Sequence, residues 1–224
     1  LMVVAMLLVA ALVVAPVAAA RNVSSGDTVY IGEEAVNLTA VFNANYGESG
    51  TLIYYSSVAS ETSATIGKSV SVADVSNFEF TLSEFGTLTG PWYAFNSTNA
   101  GSPNNLSAAD GFVIVEKPSV KLDVKLAGYP DSVNGKTVSR DNKIVFEVEH
   151  NLALYKDAIT RENYTTINIE VTTPGGGTVT TFGNNSVNLK SFLLTGQKNS
   201  TLSIDLAGVE AGTYTAIAKW PSAS

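Results

Sequence analysis

From Arg21 onward the chain holds no stretch of ten or more residues whose apolar positions are spaced i, i+3, i+4 and i+7. Short β-branched and aromatic runs recur instead, about every 8 to 15 residues, between clusters of Gly, Asn, Ser and Pro. Without a helical apolar stripe, such a chain buries its apolar groups on strands, which predicts an all-β sandwich architecture.

In the first half the pattern predicts strands at 28–31, 36–42, 52–56, 68–72, 78–82, 92–95 and 112–116. The run from Phe78 to Leu82 alternates, which predicts Phe78, Phe80 and Leu82 on one buried face. Lys117-Pro118-Ser119 is the expected hinge, because proline lacks a ladder donor and ends a central strand. The second set is expected at 120–126, 136–139, 144–149, 167–173, 178–182, 188–194, 202–206 and 214–220. Pro174-Gly175-Gly176-Gly177 reads as a loose hairpin loop between Thr-rich strands.

Gly212-Thr213-Tyr214, leading into an apolar run, resembles the tyrosine corner of immunoglobulin-like sandwiches, and Gly90-Pro91-Trp92-Tyr93 is a similar phrase in the first half. The expected organisation is therefore two tandem immunoglobulin-like β-sandwich domains, 21–117 and 118–224, behind a leader at 1–20. That leader is uncharged and apolar, is interrupted by Pro16, and ends in Ala18-Ala19-Ala20. Small residues at those positions suit a signal peptidase, so it reads as a signal peptide cleaved before Arg21. The missing basic segment and the start at Leu1 are read as loss of a few N-terminal residues or a non-Met start.

Composition narrows the chemistry. Asp and Glu outnumber Lys and Arg by 20 to 13, a formal charge of −7, which disfavours a nucleic-acid partner. With no cysteine and a single histidine, His150, the chain lacks thiol nucleophiles, disulfides and Cys-based zinc sites. No Gly-X-Ser-X-Gly elbow supplies His150 with a serine, so it is read as a surface or turn histidine. Glu147 and Glu149 share one strand face, which predicts a solvated face paired with Lys121 and Lys125; a pair of glycosidase carboxylates is the alternative. Trp92, Tyr93, Tyr54 and Tyr55 are read as core and interface, with a sugar-stacking platform as the alternative.

The dense signal is Asn-X-Ser/Thr: seven sequons, at Asn22, Asn37, Asn96, Asn105, Asn163, Asn184 and Asn199, against roughly four expected by chance. In an exported chain these are candidate glycosylation sites. Asn96, Asn105, Asn184 and Asn199 fall in expected loops, whereas Asn37 falls in an expected strand.

Several phrases together resemble the surface-layer glycoproteins of methanogenic archaea: 26–39, Trp92-Tyr93-Ala94-Phe95-Asn96, 117–124, 135–140 and 212–216. The resemblance implies tandem β-sandwiches behind a signal peptide, no catalytic residues, covalent glycans and self-assembly into a lattice at the cell surface. Family members continue into further domains, a Thr/Pro-rich stalk and a membrane anchor, so membrane attachment is expected only through an anchor outside this chain. The expected function is that of a secreted structural subunit; a carbohydrate-binding or adhesion module using Trp92 and Tyr93 is the alternative. No cofactor is expected, save a divalent cation such as calcium that could bridge Asp27, Glu33 and Glu34 across like-charged subunits.

Overall fold

A computed structural model describes residues 21–97, 103–155 and 165–220. Within them the chain is all-β, with short helical turns between strands, and no described helix is long and apolar enough to cross a membrane. The expected leader lies outside the described residues.

The first half comprises β1 (Arg21–Asn22), β2 (Thr28–Tyr30), β3 (Val36–Asn37), α1 (Thr39–Phe42), β4 (Gly50–Ser60), β5 (Ser63–Val72), α2 (Leu82–Phe85), β6 (Gly90–Asn96) and β7 (Gly111–Glu116). Five of these strands form one mixed sheet in the order β2-β7-β6-β4-β5, with β2 parallel to β7. Alternation sends Leu52, Val70, Trp92, Ala94 and Val113 to one face. There they meet Val23, Leu38, Phe42, Val75, Phe80 and Phe85 from the less regular layer that contains the β1–β3 pair and both helical turns.

Two expected strands are corrected here. Residues 39–42 turn into a helix because Asn37 Oδ1 accepts from the Thr39 amide at 3.1 Å and its hydroxyl at 2.8 Å, pulling the backbone out of the extended state. The expected strand 78–82 does not form: only Phe78 bridges, to Val36, and Thr81, whose hydroxyl accepts from Glu84 N and donates to the Glu84 carboxylate, caps the start of α2. Phe78 and Phe80 are buried as expected, but Leu82 is 63% exposed.

The second half contains β8 (Val120–Leu126), β9 (Lys143–His150), β10 (Thr166–Thr172), β11 (Thr178–Val179), β12 (Thr181–Phe182), β13 (Val187–Asn188), β14 (Phe192–Leu193), β15 (Lys198–Ser200), β16 (Ile204–Asp205) and β17 (Thr215–Lys219). Strand β9 pairs with β8 on one side and with β15 and β16 on the other; β10 pairs with β17, β11 and β14. The inward residues Phe146 and Val148 of β9 and Ile167 and Ile169 of β10 share one apolar cluster. Residues 136–139 are a bend and coil, not the expected strand. The expected strand at 188–194 is split by Ser191, which has a positive φ of 54° and whose amide donates to Asn168 Oδ1.

The tyrosine corner is present: Tyr214 donates its phenolic hydrogen to Glu210 O at 2.8 Å, four residues upstream, just before β17. Trp92 matches it in the first half, donating Nε1–H to Leu88 O at 3.3 Å, also four residues upstream. Gly212 allows the corner to pack on the 174–177 hairpin loop, since a Cβ there would strike the Pro174 ring.

Candidate functional site

The most elaborately built polar site lies where the two apolar clusters meet. The Gly32-Glu33 turn after β2 folds Glu33 back, so that its carboxylate accepts from Tyr30 N at 3.0 Å. Strand β1, alongside β3, brings Arg21 to the same point. The guanidinium donates through Nε to Glu33 Oε1 at 2.5 Å, and through Nη2 to Glu33 Oε2 at 2.9 Å and Thr28 O at 3.0 Å. Its other face covers the Tyr155 ring, 4.4 Å from the centroid. Arg21 and Glu33 are 5% and 2% exposed, so this pair is inside the protein.

Burial holds the Glu33 carboxyl above its ordinary range even beside the guanidinium. Burial also opposes the charge on Arg21, but Glu33 outweighs it and raises the Arg21 pKa further. Tyr30 lies in the second cluster, its ring edge-on to Trp220 at 5.8 Å and stacked on Tyr155 at 6.4 Å. Burial, with Glu116 nearby, pushes the Tyr30 phenol up to about 12. Burial, with Glu33 nearby, does the same for Tyr155, also to about 12. Charge, aromatic stacking and hydrogen bonds therefore converge on a joint between the halves of the chain.

This geometry corrects the reading of Glu33 as a bridging carboxylate: both its oxygens are spent on Arg21 and Tyr30. Glu34, next along, is exposed, and Asp27 accepts from Ser24 N at 2.8 Å within a turn. The three candidate cation ligands are thus not gathered at one point. Among the described residues no group of three or more acidic or histidine side chains could hold a metal ion.

The sequons differ sharply in local chemistry. Asn37, 5% exposed, donates from Nδ2 to Asn22 Oδ1 at 2.8 Å and Tyr46 Oη at 3.2 Å, which places the two first sequons side by side. Asn96 donates from Nδ2 to Phe42 O and Asp110 Oδ1. Asn105 caps a short 3₁₀ turn (Leu106–Ala108) through Ser107 N, and the Asn199 side-chain amide is hydrogen-bonded to Thr195 Oγ1 at 2.8 Å. Asn184 stands exposed in the turn between β12 and β13. Asn163 lies outside the described residues.

His150 is 6% exposed, which corrects its reading as a surface residue. It closes β9 on the inward side; Nδ1 accepts from Leu152 N at 3.1 Å, and Nε2 lies 3.2 Å from the side-chain amide of Asn199. Glu147 and Glu149 do point outward from β9. Glu147 binds Lys125 at 2.8 Å and Lys198 at 3.2 Å, and these bonds hold its carboxyl below the usual carboxylate range against partial desolvation. Glu149 lies opposite Lys121. Trp92 is fully buried and points to the other side of the sheet from Tyr93, so the two cannot form one stacking platform.

The Arg21–Glu33–Tyr155 arrangement was not legible in the sequence. Its members are 12 and 122 residues apart from Glu33, and no spacing rule links an arginine beside an expected cleavage site to a tyrosine in the second half. The tyrosine corner, by contrast, came from a local phrase.

No curated protein matches the chain. A protein-family model described as a domain of unknown function, DUF3821, matches residues 25–223, which take in strands β2 to β17. The chain belongs to the DUF3821 family.

Proposed function

We propose that this chain is a non-catalytic, glycan-bearing structural subunit of an extracellular surface layer, built as two tandem β-sandwiches and assembling with copies of itself. The observation that carries this reading is the buried joint. A tile in a lattice transmits its neighbours' positions only if its parts hold a fixed relative orientation, and the halves here are tied by the Arg21–Tyr155 cation–π contact and an aromatic triad, with the Arg21–Glu33 ion pair fixing the guanidinium. Asn184 offers an accessible amide for a glycan facing solvent. The resemblance to archaeal surface-layer glycoproteins agrees with this placement. Protease treatment of intact cells tests it: the chain should be removed with the envelope proteins, and recovery only from a protected cytoplasmic fraction would contradict the reading.

A further inference from the structure

An asparagine followed by glycine is the most reactive setting for a side-chain amide, because the next backbone nitrogen reaches Cγ only where no side chain shields it and the peptide is free to rotate. The chain has one such pair, Asn134-Gly135; every other asparagine is followed by a residue with a side chain.

The fold leaves this pair open to that reaction. Lys136 N donates to Val133 O at 3.0 Å, so the pair occupies the centre of a tight turn, with Gly135 at a φ of 69°. Both residues are exposed, and a Cβ on Gly135 would meet nothing within 4 Å. Gly135 N–H donates to no acceptor among the described residues. The amide beside it is polarised: Val124 N donates to Asn134 Oδ1 at 3.2 Å, a donor aimed at the oxygen on which negative charge develops during attack on Cγ.

The same amide fastens a strap along an open edge. Strand β8 pairs with β9 and with no other strand among the described residues. On its free side Val133 N donates to Val124 O at 2.8 Å, Asn134 Oδ1 takes the Val124 amide, and Asn134 Nδ2 donates to Asp123 Oδ1 at 3.0 Å. Val133 and Asn134 thereby cover backbone groups that would otherwise form a bare strand edge.

We propose that Asn134 is a site of spontaneous deamidation that unfastens this strap. Gly135 N attacks Cγ: the N–Cγ bond forms, the Cγ–Nδ2 bond breaks, and the proton lost from Gly135 N leaves, by way of solvent, with Nδ2 as ammonia. Water then opens the cyclic imide. Opening at Cγ gives aspartate at this position, opening at the backbone carbonyl gives isoaspartate, and neither route needs an oxidant or an enzyme. Both products carry a carboxylate where Nδ2 donated, facing the Asp123 carboxylate, and two like charges in that position repel. Isoaspartate also lengthens the backbone by one carbon, which moves Val133 N out of register with Val124 O.

Holding the purified protein at mildly alkaline pH and mapping its peptides by mass spectrometry tests the reaction. Asn134 should convert to a mixture of aspartate and isoaspartate while the other asparagines stay intact, and Gly135→Ala should slow the conversion by at least about tenfold. Because alanine is strained at this φ, Asn134→Gln, whose longer side chain closes a less favourable ring, serves as a second unreactive variant, and circular dichroism reports whether each folds. Hydrogen exchange tests the strap: the Val124 and Val133 amides should exchange faster in aged wild type and in Asn134→Asp than in fresh protein. An Asn134 that survives in the folded protein while converting in the excised peptide would overturn the proposal. So would aged, converted protein whose Val124 and Val133 amides exchange no faster than before.

Discussion

Tyr30 donates its phenolic hydrogen to the carbonyl of Asn151 at 2.7 Å, across 121 residues of sequence. Asn151 also binds the coil between β7 and β8, its Oδ1 accepting from Ser119 N at 2.8 Å and its Nδ2 donating to Lys117 O at 2.9 Å. The connector between the halves is therefore tied down at both its backbone and the strand beside it.

Tyr30→Phe keeps the ring contacts with Tyr155 and Trp220 but removes that hydrogen bond. It should lower stability by about 1 kcal/mol in urea unfolding, whereas Tyr30→Ala, which also empties the aromatic triad, should cost about 3–5 kcal/mol. Equal effects would mean that the ring contributes nothing to the joint.

Removing one member of the buried ion pair strands the other. Arg21→Met should cost about 3–5 kcal/mol, because Glu33 is left buried without its guanidinium, while Arg21→Met combined with Glu33→Met should recover most of the loss. The measurement is the urea midpoint of both variants; a double variant as unstable as the single would show that packing, not charge burial, sets the cost.

Tyr30 and Tyr155 fix the alkaline limit of the fold. Both have folded-state pKa values of about 12, above the unfolded value of 10.0. A raised pKa means that the folded state keeps protons the unfolded chain releases, so stability is full below about pH 10 and is lost as pH rises toward 12. Phenolate absorbance should show two late-titrating tyrosines coinciding with unfolding, and Tyr30→Phe should remove one of them.

The sequons sort by the freedom of their amide nitrogens. Glycopeptide mass spectrometry of native material should find a glycan at Asn184 and a bare Asn37, whose Nδ2 is buried and already donating twice. The reverse pattern would mean that modification precedes folding and ignores these contacts.

Much of the β framework was legible because its signals are local. The strand expected at 120–126 matches β8, and the Gly212-Thr213-Tyr214 phrase leads to the corner at Glu210. The N-cap at Thr81 is also present in the residues, as Thr81-Leu82-Ser83-Glu84, but Phe78 and Phe80 just before it alternate with strand period. What stayed hidden depends on long-range closure. Glu33 and Glu34 are chemically alike neighbours, and only Arg21 arriving along β1 makes one interior and the other exposed. His150 likewise becomes interior through Leu152 and Asn199, which no local pattern joins to it.

Electron cryotomography of extracted envelopes, with this chain located by a specific tag, tests the central claim most directly. The account predicts a periodic array in which the tag recurs once per subunit at a constant lattice spacing. Tagged molecules scattered singly over the envelope, with no repeat between them, would contradict it.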